Sequence, residues 1–204
     1  MKGLLLKDIY TLTKQMKLFI VILVLFSLVP GYSMAAFAIC YSAMMPITAL
    51  AYDERAKWDK LAAMMPYSAS DIVISKYMLG SICALFATLL SLIGGIGYAV
   101  FKNTPVDDKA LMILLPLLCI ALIIQSINLP LMFKIGVEKG RILFVMITVV
   151  TVLGGVALSE NLKTIPDFFQ TNLLTVLLAG IAVTVFLCAL SALISIKIYK
   201  NREA

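Results

Sequence analysis

Five stretches of this chain contain no aspartate, glutamate, lysine or arginine: residues 18–52, 77–101, 110–133, 142–159 and 168–196. All 17 basic and 11 acidic residues of the 204-residue sequence fall outside them. A soluble domain is about 25% charged, with polar residues punctuating every amphipathic element. This chain is 14% charged and 62% apolar, with a mean hydropathy of +1.05. That pattern excludes a water-soluble enzyme and predicts an integral membrane protein.

A membrane-spanning helix needs about 20 mainly apolar residues. Four of the stretches hold one span each. The first is too long for one and contains the turn signal Pro30-Gly31-Tyr32-Ser33, which predicts a hairpin of two helices. The expected fold is all-α, one domain over residues 1–204, with six spans. They are placed at about 18–30, 34–52, 77–101, 110–133, 142–159 and 172–196. Pro46 lies within the second span as a candidate kink. Glycines cluster in the third span (Gly94, Gly95, Gly97) and recur in the fifth (Gly154, Gly155) and sixth (Gly180); small residues let membrane helices approach closely.

The net charge of +6 is a topology signal and implies no nucleic-acid partner. Four basic residues precede the first span, four lie in 53–76, three in 134–141 and three after the last span. Only Lys102, Lys109 and Lys163 fall on the opposite side. The positive-inside rule then predicts a multi-pass plasma-membrane protein with both termini cytoplasmic.

The first 17 residues resemble the charged front of a signal peptide, but no A-x-A-like cleavage site precedes a soluble mature domain. They read better as an amphipathic helix in the cytoplasmic interface. Leu5, Ile9, Leu12 and Met16 share one face of it, and Lys7, Thr11, Lys14 and Gln15 the other. Residues 53–76 hold eight charges, four of each sign, and the only tryptophan. A helix is expected from Asp53 to Met65, stopped by Pro66. Trp58, Leu61, Ala62 and Met65 would form its apolar stripe, and Arg55 and Asp59 an i, i+4 pair. Ser68-Ala69-Ser70-Asp71 has capping-box spacing, so a second helix is expected to start near Ser70 and run into the third span.

Catalytic and metal-binding patterns are missing. The sequence has no histidine, no P-loop G-x-x-x-x-G-K-[ST] and no G-x-S-x-G elbow. The four cysteines, Cys40, Cys83, Cys119 and Cys188, fall singly in different spans and read as small apolar residues. No acid or base lies inside a predicted span, which disfavours an ion-coupled carrier. Gln125 and Asn128, between Pro116 and Pro130 in the fourth span, are the strongest polar side chains at depth. They are candidates for a substrate path or for interhelical hydrogen bonds.

Several runs carry a resemblance: Leu4-Leu5-Leu6-Lys7-Asp8, Ala51-Tyr52-Asp53-Glu54-Arg55-Ala56-Lys57-Trp58-Asp59-Lys60, Met65-Pro66-Tyr67-Ser68 and Asp71-Ile72-Val73-Ile74-Ser75-Lys76-Tyr77. In these and in its six-span plan the chain resembles the small ABC-2-type permeases, the membrane subunits of ABC transporters whose ATPase is a separate chain. It is most similar in look to exporters of amphipathic peptides such as phenol-soluble modulins. It departs at Pro66-Tyr67-Ser68-Ala69-Ser70, where a small residue and a basic pair would be expected. The resemblance implies an exporter permease that is not itself an enzyme, with ATP and magnesium bound by the partner ATPase. It also implies a dimer of six-span halves and a cytoplasmic coupling helix between spans two and three. Here that helix would comprise Glu54 to Met65, with Trp58, Leu61 and Met65 as apolar anchor and Arg55, Lys57, Asp59 and Lys60 at the rim. On the residues alone, an ion-driven carrier or channel and a non-transporting peptide-binding immunity protein stay open as alternatives.

Overall fold

The computed structural model describes residues 2–15, 17–29, 31–62, 64–103, 110–142, 146 and 173–203. All its regular elements are helical, as the charge-free stretches require. Helix α1 spans Lys2–Gln15, α2 Lys17–Leu28, α3 Tyr32–Ser42, α4 Met45–Arg55, α5 Trp58–Ala62, α6 Ala69–Lys102, α7 Ala110–Ile135 and α8 Leu173–Glu203. A short helical segment, 137–142, follows α7.

Among the described residues, four helical stretches are long and apolar enough to cross a membrane: Tyr32–Arg55, Ala69–Lys102, Ile113–Ile135 and Leu177–Asn201. The pair Gly3–Lys14 and Lys17–Leu28, whose axes differ by 83°, makes a fifth if taken as one span. The expected fifth span, 142–159, lies almost wholly outside the described residues.

Helices α2 and α3 form the expected hairpin. Gly31 turns the chain at φ 130°, a conformation that L side chains rarely adopt. Phe26 and Phe37 then meet across the pair at 4.8 Å between ring centroids, and Phe19 stacks on Tyr41 at 5.8 Å. Near Pro46 the second span breaks into two helices, with Pro46 in the first turn of α4, where its missing N–H needs no partner. Ser68 caps α6: the Asp71 N–H donates to its hydroxyl at 3.2 Å, and its own N–H donates to the Asp71 carboxylate at 3.3 Å. The expected capping box is therefore present at the start of α6.

Helix α6 is the axis of the bundle and packs against α1, α2, α3, α4, α7 and α8. One apolar core joins α2, α3, α6 and α7 around Leu23, Ile39, Leu79, Ala87 and Ala121. A second gathers Leu4, Ala62, Val73, Phe133 and Tyr199, so both chain termini and the 53–68 segment lie at one end of the bundle. Helix α8 packs on α6 and α7 and leaves most of its apolar surface outward.

Of the three clustered glycines in α6, only Gly94 sits at a close helix approach. A β-carbon there would come within 3.0 Å of the Leu28 and Ser27 backbone in α2, whereas Gly95 and Gly97 have no described atom within 4 Å. Gly94→Ala is expected to destabilise the protein by about 1–2 kcal/mol through overpacking. Gly95→Ala and Gly97→Ala should be neutral, or stabilising by up to about 1 kcal/mol through helix propensity. Thermal unfolding of the three variants in mild detergent checks that order.

Candidate functional site

Three buried charges meet at the end of the bundle that holds both termini. Each comes from an apolar helix stripe. Asp8 lies between Leu4 and Leu12 on α1, Asp53 follows Met45 and Ala49 on α4, and Lys76 lies between Ile72 and Leu79–Gly80 on α6. Helix packing that buries the neighbouring leucines therefore buries the charges too. Asp8 and Lys76 are each 1% exposed, and Asp53 is buried.

The Lys76 ammonium donates to Asp8 Oδ1 at 2.7 Å and to Asp53 Oδ2 at 2.5 Å. Half-buried Lys7 closes the group, with its Nζ 2.7 Å from Asp53 Oδ1 and 3.1 Å from Asp8 Oδ1. Two lysines and two aspartates thus form a ring of alternating sign with no net charge. Balance matters here, because an unpaired buried ion costs several kcal/mol. Lys7 also lies over the Trp58 ring, 4.2 Å from its centroid, a distance at which a cation is attracted to the aromatic face. Asp8 Oδ2 and Trp58 Nε1 are buried without a hydrogen-bond partner among the described residues.

The segment beside this ring differs from expectation. A continuous Asp53–Met65 helix is not formed: α4 ends at Arg55, Lys57 takes a left-handed φ of 53°, and α5 begins at Trp58. Asp53 is held to α1 and α6 while α5 turns to pack on Leu4, so one straight helix cannot satisfy both. The break also removes the helical i, i+4 relation of Arg55 and Asp59. The expected apolar stripe splits accordingly. Trp58 is half-buried and Ala62 buried in the core around Leu4, while Leu61 (49%), Met64 (85%) and Met65 (40%) are exposed. Arg55, Lys57 and Lys60 are exposed in the same segment; the Asp59 side chain lies outside the described residues. Glu54 points elsewhere: its Oε2 accepts the Val137 N–H at 2.9 Å, at the start of the 137–142 helix. Gly136, at φ 87°, lets Glu54 Oε1 approach to 3.0 Å from where a β-carbon would stand.

The face of α1 is rotated relative to its expected orientation. Leu12 is buried and Leu5 half-buried, but Ile9 is exposed with Leu6 and Tyr10, and Met16 lies outside the described residues. Lys7 points into the charge ring rather than outward. Exposed Lys14 lies 5.5 Å from the Tyr10 ring centroid. Packing on α4 and α6 explains this, since the stripe Leu4–Asp8–Leu12 faces protein and Leu6–Ile9–Tyr10 faces away.

Gln125 and Asn128 are enclosed. Gln125 Nε2 donates to the Tyr77 carbonyl at 3.0 Å, and Asn128 Nδ2 to the Ile124 carbonyl at 2.9 Å. Gln125 belongs to a polar seam. The Tyr77 hydroxyl lies 2.6 Å from Ser191 Oγ and 2.9 Å from Ser195 Oγ, Ser191 donates to the Ser126 carbonyl, and Ser126 Oγ meets Cys188 Sγ at 3.0 Å. The seam ties α8 to α6 and α7. Sequence reasoning passed over Asp8, Asp53 and Lys76 as a group, and Tyr77, Ser191 and Ser195 as another. The signal was present in both: Leu4–Asp8–Leu12 and Cys188–Ser191–Ser195 each have helical spacing.

Among the described residues no three carboxylate or thiol side chains converge into a metal-binding set. No curated protein and no solved structure matches this chain. The family described as ABC-2 family transporter protein does match, over residues 3–200. Its permeases are membrane transporter components without an ATPase of their own and generally pair with an ABC ATPase. The match takes in the charge ring, exposed Met64 and Met65 and all or nearly all of each described helix, and the chain belongs to the ABC-2 transporter family.

Proposed function

We propose that this chain is the membrane half-unit of an ABC exporter, located in the plasma membrane with both termini cytoplasmic. A second copy or a related permease completes the pathway. A separate ATPase drives outward movement of an amphipathic or hydrophobic substrate, which the resemblance to phenol-soluble-modulin exporters makes a peptide. The observation that carries this reading is the exposed apolar group Leu61, Met64 and Met65, which shares the most charged segment of the chain with exposed Arg55, Lys57 and Lys60. Exposed apolar side chains inside a polar rim are the anatomy of a protein interface, and this group stands at the end of the bundle with the basic excess. Trp58 supports it from within. Six spans, with 142–159 as the fifth, complete the half-unit.

The test is association with the ATPase. The double substitution Leu61→Asp and Met64→Asp is expected to weaken copurification and raise the Kd by about 30-fold, the effect of removing an interface hot spot. Binding at the wild-type level would place the ATPase contact elsewhere. Gradient-driven transport by the isolated chain in liposomes without ATP would replace this reading with an ion-driven carrier.

A further inference from the structure

We propose that Lys76 is a positioning residue: together with Asp8, Asp53 and Lys7 it transmits displacement of the ATPase-docking segment to α1 and to the membrane bundle. This inference rests on the docking reading above and extends it to the residues that carry the movement inward.

The docking helix reaches the charge ring by two routes. One is covalent, from Trp58 through the left-handed turn at Lys57 to Asp53 at the end of α4. The other is the Trp58 ring beneath Lys7. On its far side the ring is anchored by Lys76, in a single helix that runs unbroken from Ala69 to Lys102. The next residue, Tyr77, hydrogen-bonds Ser191 and Ser195 of α8 through its hydroxyl and Gln125 of α7 through its carbonyl. A shift of Lys76 is thus passed to three membrane helices through two adjacent residues.

An interlocked apolar contact would also resist movement, but a charge ring has a second property. Its ions exchange partners without leaving the ring, provided a spare acceptor exists. Asp8 Oδ2 is that acceptor, buried and unpartnered among the described residues. If Asp53 withdraws with the docking segment, both lysines keep a carboxylate partner in Asp8. The ring therefore has a second arrangement in which both lysines stay partnered by Asp8 while Asp53 leaves with the docking segment, and a two-state element of this kind is what coupling between distant sites requires.

The test uses the full permease bound to its ATPase in nanodiscs. Lys76→Met combined with Asp53→Asn removes one charge of each sign and leaves Lys7 paired with Asp8; Lys76→Met with Asp8→Asn leaves Lys7 paired with Asp53. Both pairs keep the ring neutral, so one remains usable if the other folds poorly. Spin labels at exposed Tyr10 of α1 and Phe101 at the far end of α6, with the four native cysteines replaced by alanine, report the distance change on adding ATP, magnesium and vanadate. The expected result is ATPase affinity within about twofold of wild type, loss of the nucleotide-driven distance change, and stimulated ATP hydrolysis about tenfold lower, within the range of coupling mutations. A normal distance change and normal hydrolysis in a bound variant would overturn the inference while leaving the docking reading intact. Loss of ATPase binding in both variants would also overturn it, because the ring would then only shape the docking surface. Failure of the unsubstituted permease to bind the ATPase would instead sink the docking reading, and this inference with it.

Discussion

Lys76→Met alone is expected to destabilise the protein by about 3–5 kcal/mol, the penalty for breaking a buried ion pair by removing one partner. The methionine fits the space of the lysine stem, so the loss is electrostatic and no cavity is formed. Without the ammonium, the Asp8 and Asp53 carboxylates face each other in the bundle with only half-buried Lys7 between them. Both aspartates are buried, so solvent screens them less than it screens surface charges. Lys60→Met provides the control: Lys60 is exposed on the same segment, and its loss should fall within about 0.5 kcal/mol of wild type. Adding Asp53→Asn to Lys76→Met restores neutrality and is expected to recover at least half of the lost stability. Denaturant or thermal unfolding in mild detergent measures all three. If Lys76→Met unfolds within about 1 kcal/mol of wild type, the buried ring does not exist in solution as described.

The elements legible from sequence were those decided by local chemistry. Apolar length placed α2, α3 with α4, α6, α7 and α8 close to their expected ranges, because a charge inside a span is too costly to hide within a single helix. Ser68 and Asp71 predicted the start of α6 because a capping box is satisfied within one turn. What failed was rotation and continuity. Leu5, Ile9, Leu12 and Met16 were a sound apolar face for an isolated α1, but α6 offers Asp8 the Lys76 ammonium and α4 offers Lys7 the Asp53 carboxylate, which together draw the neighbouring edge inward. The break at Lys57 arises the same way: Asp53 and Trp58 are claimed by different neighbours, and the backbone yields between them. Lys76 looked like one more topology-setting cation, because a lysine beside a span is usually solvated. Only two carboxylates brought in from 68 and 23 residues away turn it into a buried ion.

Gly80→Ala is expected to cost about 3 kcal/mol, although Gly80 belongs to none of the glycine clusters that the sequence displays. A β-carbon there would stand 2.4 Å from Gln125 Oε1 and 2.5 Å from Gln125 Cδ, so Gln125 occupies the space that the missing side chain leaves on α6. Two penalties then combine. Overpacking an enclosed helix contact costs about 1–3 kcal/mol. Displacing the Gln125 amide also breaks its bond to the Tyr77 carbonyl, its one hydrogen bond to α6, and stranding a buried donor costs about 1–3 kcal/mol. Gln125 is 2% exposed and its Oε1 is already unpartnered, so the displaced amide finds no ready substitute. Gln125→Ala empties the space and removes the donor together. The double variant Gly80→Ala with Gln125→Ala should therefore be more stable than the sum of the single losses by about 1–2 kcal/mol, a coupling typical of residues in direct contact. A double-mutant cycle in mild detergent measures it. Additive losses would mean that Gln125 does not fill the Gly80 gap and that α6 and α7 are held together without the amide; a clear positive coupling makes Gln125 a spacer between spans, with its amide closed to any substrate in this conformation.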